Sequence, residues 1–297
     1  MMQRTAKISR AAHREVLTAL VFILPLFAVL AFFMFSPLFS GLAMSLHNRT
    51  GNFVGFANFK LLFGERRFGN NILLTVVYTV LSVSLTISTG LLAAHLITED
   101  SKFINFLRPL YLTPWIIPPV ASGILFASLY DGNSGPVPHL VKLLTGNNFM
   151  PLASTRYSIF AVISHEYWRS FPFAMLFIAA GLTTISKEIY EAATIDGAGK
   201  WRQFRYITMP LLKSHLFIVC LMTTNTALQS SEVIYSLTRG GPGYSTETIA
   251  VRMFKDAFVY FDTNTGATIS VFLLFIATFL MFGYSRLMMA KEDDSNE

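Results

Sequence analysis

The chain has 297 residues, of which 53% are hydrophobic and only 13% charged, with a formal net charge of +6. That balance excludes an ordinary soluble domain, in which about a quarter of residues are charged, and points to a polytopic membrane protein. The basic residues are scattered over termini and loops, which excludes nucleic acid as their partner, and the single Cys220 excludes an intrachain disulfide framework and any Cys/His metal spacing.

A membrane crossing takes roughly 20 helical residues. The first predicted span covers 17–45, and its apolar run is too long for the core of a signal peptide, so it reads as retained. The segment before it, 1–16, carries Arg4, Lys7, Arg10 and Arg14, a flank that favours the cytoplasm. Further spans are predicted at 71–98, 106–130, 157–184, 211–236 and 266–290. The expected fold is therefore an all-α membrane protein with six transmembrane helices, occupying 17–290, and an even number of spans returns the tail 291–297 to the cytoplasmic side. In this topology thirteen Lys and Arg residues lie inside, nine lie outside and Arg169 falls within a span, which has the sign of the positive-inside rule.

The connectors are also legible. The loop from His47 to Asn70 predicts an external cap with a short helix over 58–63. TPWIIPPV, in the third span, carries three prolines and predicts a kink, explained equally by packing or by a pathway lining. A short amphipathic helix is expected over 139–144, and SLTRGGPGYSTET reads as an external Gly-Pro turn leading into the helix-capable IAVRMFKDAFVY.

The fourth span contains Glu166 and Arg169, three residues apart on one helical face and costly in lipid. A mutually neutralising buried pair and a solute contact account for them equally. After that span comes EAATIDGAGKWRQFRYITMPLLKS, from Glu191 to Ser214, within a loop over 185–210. Ser186 is the expected N-cap of a helix running through Ala193; Gly197 and Gly199 mark a bend; a second helix through Trp201, Phe204 and Ile207 leads to Pro210, in the first turn of the fifth span. GAGK is not a phosphate loop, because Thr194 stands where the first glycine belongs and Trp201 follows Lys200. The chain shows neither HExxH nor GxSxG, and its histidines have no ligand spacing, so no enzyme chemistry and no metal site are expected.

This stretch is similar to the EAA motif of permease subunits in binding-protein-dependent ABC importers. Glu191, Ala192, Ala193, Gly197, Ile207 and Pro210 stand at the motif spacing, and Asp196 and Ala198 complete the DGA form of the carbohydrate branch, the maltose and glycerol-phosphate type. Met209 in place of the usual Leu and Ser214 in place of a later Pro are the departures. VGFANF near Val54, PWIIPP at Trp115, YWRSFPF at Trp168 and LTRGGP at Leu237 resemble further pieces of the same branch in its order, so the likeness covers nearly the whole chain.

The resemblance implies a type I importer permease fold with a cytoplasmic EAA coupling helix, in the bacterial cytoplasmic (inner) membrane, moving a sugar or sugar-like solute inward. It implies as partners a second homologous permease, a homodimeric ATPase that binds the ATP and Mg absent from this chain, and an extracytoplasmic solute-binding protein. Coupling to the ATPase falls to Glu191, Ala192, Ala193, Asp196, Gly197, Ala198 and Pro210. The substrate pathway falls to Trp115, Glu166, Arg169, Ser170, Phe173, Thr223, Ala227 and Ser230. The alternative, an ion-coupled secondary transporter, would also need intramembrane charge and broken helices, but it has no use for a docking stretch and usually shows an inverted repeat, which is not detectable here.

Overall fold

The computed structural model describes residues 2–97 and 110–293, with side chains described for 18–95, 97 and 110–286. The charges expected at Arg4, Lys7, Arg10, Arg14, Lys102, Arg108 and Lys291, and the tail 291–297, lie outside the described side chains. In chain order the helices are α1 (Met2–Ser45), α2 (Ala57–Gly64), α3 (Arg66–Ile97), α4 (Leu110–Ile116), α5 (Pro119–Leu129), α6 (Pro136–Thr145), α7 (Ser158–Thr183) and α8 (Lys187–Ile195). They continue with α9 (Lys200–Gln203), α10 (Met209–Leu211), α11 (Lys213–Gln229), α12 (Glu232–Thr238), α13 (Ile249–Phe254) and α14 (Thr263–Asp293). Two π-helical turns, Phe204–Thr208 and Lys255–Val259, interrupt the series. The described residues form no β-strand, only one isolated bridge between His47 and Phe53.

Three helices, α1, α3 and α14, are each long and apolar enough to cross a membrane, and three bent pairs bring the number to six if each counts as one span. The predicted short helices over 58–63 and 139–144 are present as α2 and α6. The third and fifth spans differ from expectation. At Pro118–Pro119 the chain does not kink but turns by 113° between α4 and α5. Neither proline has an N–H for the helical ladder, and each drives the residue before it out of the α region, so α4 stops at Ile116 and α5 restarts with Pro119 at its first turn. The fifth span ends at Gln229 instead of 236: Ser230 leaves helical geometry (φ −69°, ψ 86°), and the polar run Gln229–Glu232 separates α12 as its own short helix. Pro210 sits in α10, ahead of a 65° bend into α11, and not in the first turn of the span.

The packed centre is the α3–α7 pair, with α11 against both. Lipid offers no hydrophobic drive for helices to associate, so contact depends on close fit and small residues. One cluster joins Tyr78, Phe126, Val162, Ala227, Ile234 and Val251; a second joins Ala94, Ala174, Ile178, Leu212 and Val219. α5 folds back against α12, and Gly123 sets that approach, because a Cβ there would lie 2.0 Å from Ser236 Oγ. Gly123→Leu is expected to separate α5 from α12 and lower folded yield several-fold, measured by size-exclusion profile; an unchanged profile would show that the contact is dispensable.

Candidate functional site

The EAA segment forms a sharply turned projection. Ser186 occupies the N-cap of α8 as expected, but its hydroxyl donates to the Glu188 carboxylate instead of capping a backbone amide. The helix ends in a left-handed residue, Gly197 (φ +78°), and the two closing hydrogen bonds follow from it: Gly197 N–H to Thr194 O (3.0 Å) and Ala198 N–H to Ala193 O (2.8 Å). This is the Schellman arrangement, which accounts for the glycine at the left-handed position. The second arm is held to the first by Gln203, which donates to Thr194 Oγ1 (2.9 Å) and to Ala198 O (3.1 Å), and by Tyr190 with Thr208 (2.8 Å). The π turn at Phe204–Thr208 precedes Pro210, whose missing N–H leaves the ladder one donor short.

The projection buries none of α8 and none of α9. Ile195 is 88% exposed and Trp201 73%, with Trp201 stacked on Phe204 at 5.6 Å. Glu191, Asp196 and Pro210 are also exposed, and Glu191 forms no ion pair among the described residues. An uncovered isoleucine and tryptophan on one short projection are the mark of a contact surface.

Within the spans, Trp115 of α4, Arg169, Ser170 and Phe173 of α7, and Thr223 of α11 line one cavity of about 210 Å³ together with Met222 and Thr226. Pro172 lies inside α7 and removes the N–H that would bond Trp168 O, loosening the backbone beside this site. The rings of Trp115 and Phe173 lie 6.1 Å apart and tilted by 36°, forming an apolar wall. Ser170 Oγ donates to Glu166 Oε1 (2.8 Å), Thr223 Oγ1 to Val219 O (2.7 Å) and Thr226 Oγ1 to Met222 O (3.0 Å).

Glu166 is not paired with Arg169. Its other carboxylate oxygen accepts from Tyr78 Oη (3.0 Å), and the residue is 2% exposed behind Ser170, outside the lining. Arg169 makes no hydrogen bond or salt bridge among the described residues, and its Nε is buried without a partner. Ala227 and Ser230 also lie outside the lining, Ala227 in the apolar core and Ser230 buried at the end of α11. The resemblance pointed to 223, 227 and 230, whereas 222, 223 and 226 face the cavity; Thr226, about one turn beyond Thr223, shares its helical face.

A third constellation was missed by sequence. Glu247, fully buried, accepts both Nε and Nη2 of Arg67 (2.7 Å each) and Lys255 Nζ (2.6 Å), while Asn71 Nδ2 donates to its backbone oxygen (2.6 Å). Burial opposes the Glu247 charge, yet the hydrogen bonds from Arg67 and Lys255 outweigh it and hold the carboxyl below its ordinary value. Arg252 adds a bond to Glu65 (2.5 Å) and a longer one to Asp256 (3.3 Å). These links fasten the LTRGGP loop and α13 to the start of α3. The partners that join the two segments, Asn71 and Arg67 with Glu247 and Glu65 with Arg252, are 176 to 187 residues apart in sequence, so no local pattern announces those links.

Comparison with known proteins agrees with this geometry. Residues 86–290 match the family model described as binding-protein-dependent transport system inner membrane component. The chain is 32% identical, over 89% of its length and 90% of the relative's, to the trehalose/maltose transport system permease protein MalF of Thermococcus litoralis. It is 31% identical to the sulfoquinovosyl glycerol transport system permease protein SmoG of Agrobacterium fabrum, covering 81% of this chain and 78% of that one. Its fold superposes with a TM-score of 0.82, at 19% identity, on a chain of a bacterial ABC transporter involved in the import of the acidic polysaccharide alginate, covering 95% of this chain and 98% of that one. A family model over most of the chain and a relative 32% identical over 89% of it, on a bundle with three long apolar helices and three bent pairs, together place it: the protein belongs to the inner membrane components of binding-protein-dependent transport systems, the permease subunits of ABC importers.

Proposed function

We propose that this permease carries a sugar or sugar-like solute, handed over by an extracytoplasmic binding protein, through the cavity at Trp115, Arg169, Ser170, Phe173 and Thr223. The observation that carries the reading is that cavity: hydroxyls, one guanidinium and an aromatic wall converge between three helices, a lining suited to a polyhydroxylated solute. At about 210 Å³ it is smaller than the roughly 300 Å³ at which complete ligand pockets begin, so a second homologous permease supplies the opposite wall. The relatives named for trehalose/maltose, sulfoquinovosyl glycerol and alginate support a carbohydrate cargo.

The α8–α9 projection, through Glu191, Ala192, Ala193, Asp196, Gly197, Ala198 and Pro210, seats in a homodimeric ATPase that holds the ATP and Mg. This chain contributes no hydrolytic group; its part is mechanical. When the ATPase closes, the rigid turn passes the displacement to α7 and α11, which carry the cavity lining. Glu191 meets a basic residue of the ATPase in a charge-assisted contact.

Phe173→Ala and Thr223→Val should each lower uptake of the cognate sugar by about tenfold or more, through loss of an aromatic face and of a hydroxyl acceptor, with ATPase co-purification unchanged. Uptake at the native level in both variants would remove the cavity from the pathway. The orientation is tested in a Cys220→Ala background. Ala198→Cys should react with a membrane-impermeant thiol reagent only from the cytoplasmic side, and Leu144→Cys, at a site 77% exposed on α6, only from outside. Reversed labelling would invert the topology.

A further inference from the structure

We infer that the solute carries an anionic group as well as hydroxyls, an acidic sugar or a comparable hydroxy acid, with Arg169 holding the anion. The inference rests on the cavity's assignment as the solute site and adds the charge of what it takes.

The argument is one of donors and acceptors. Arg169 is the only charged residue among the seven that line the cavity. The nearest carboxylate along the helix, Glu166, forms no salt bridge with it: the Glu166 oxygens accept from Tyr78 at 3.0 Å and Ser170 at 2.8 Å, and the residue is 2% exposed. No carboxylate lies within salt-bridge distance of the Arg169 guanidinium among the described residues, and its Nε is buried with no acceptor. An arginine on a cavity wall with no carboxylate in salt-bridge distance takes an entering carboxylate, sulfonate or phosphate oxygen in a charge-assisted bond.

The hydroxyls point to the other half of the solute. Ser170, Thr223 and Thr226 each direct their proton into the protein, toward Glu166, Val219 and Met222, so each offers the cavity lone pairs. Lone pairs repel an anion and accept from alcohol groups. The site therefore presents one strong donor fork, three acceptors and an aromatic wall at Trp115 and Phe173, which matches a ring with several hydroxyls and a single anionic substituent.

The test is equilibrium binding of radiolabelled galactose, galacturonate and inorganic phosphate to the purified importer complex without its binding protein. Galacturonate should bind about tenfold or more tightly than galactose, the span of a charge-assisted hydrogen bond. Arg169→Gln should abolish that preference, and Arg169→Lys should keep part of it, since an ammonium retains the charge without the fork. Equal binding of the two sugars, lost on Phe173→Ala, would overturn the anionic inference alone. Binding of both sugars that ignores Phe173→Ala and Thr223→Val, or no binding at all, would overturn the cavity assignment with it. Phosphate as tight as galacturonate would remove the hydroxyl half. The native comparison of galactose with galacturonate decides the matter even where an Arg169 variant fails to fold.

Discussion

Replacing Gly197 with valine should abolish solute-stimulated ATP hydrolysis in the assembled importer while the chain still inserts at normal yield. Gly197 sits at φ +78°, where an L side chain costs about 1–2 kcal/mol and a β-branched one more. Nothing lies within 4 Å of a Cβ built there, so the cost is backbone conformation and not a clash within this chain. The strain is relieved by opening the turn, which breaks the Gly197–Thr194 and Ala198–Ala193 hydrogen bonds and redirects α9. Asparagine tolerates the left-handed region, so Gly197→Asn should keep most of the coupled activity. ATPase rates and ATPase co-purification measured together separate the outcomes. Full coupled activity in Gly197→Val would show that the shape of the turn is irrelevant to function.

The second large effect is on stability. Glu247→Ala should reduce folded yield sharply and destabilise this end of the helix bundle by about 3 kcal/mol, because it strands the buried Lys255 beside a partly exposed Arg67. Replacing all three charged residues with apolar ones of similar volume should recover much of that loss. The pH dependence has a definite sign. The Glu247 carboxyl is held below its ordinary value, so its stabilisation is complete above that value and is lost as pH falls through the lower folded one. Asp256 runs the other way: burial raises it, ahead of the opposing pull of Arg252, so protonation relieves a cost. A thermal melt of Glu247→Ala within about 1 kcal/mol of the native protein would refute the clamp.

How much of this was legible depended on sequence distance. Apolar runs of span length gave α3, α7 and α14 to within about five residues and the apolar part of α1, which itself begins fifteen residues earlier at Met2, since length and composition are what the bilayer selects. The Gly197 bend was legible because a turn needing positive φ is written locally. The 113° break at Pro118–Pro119 was readable only as a kink: the prolines announce that the helix stops, while the direction in which it resumes is decided by α5 packing on α12. For the same reason the helical spacing of Glu166 and Arg169 left a buried pair and a solute contact equally open, while in the structure Tyr78, from another helix, donates to one Glu166 oxygen. The clamp around Glu247 was invisible, as Arg67 and Glu247 stand 180 residues apart.

The central claim, that the exposed turn of α8 and α9 is where this permease meets its ATPase, is tested most directly by a photo-crosslinking residue in place of Ile195, which is 88% exposed at the tip. Illumination of the intact, transport-active complex should join this chain to the ATPase in high yield, and Gly197→Val should abolish the adduct. Crosslinking only to lipid or to the second permease, in a complex that still couples ATP hydrolysis to uptake, would contradict the account.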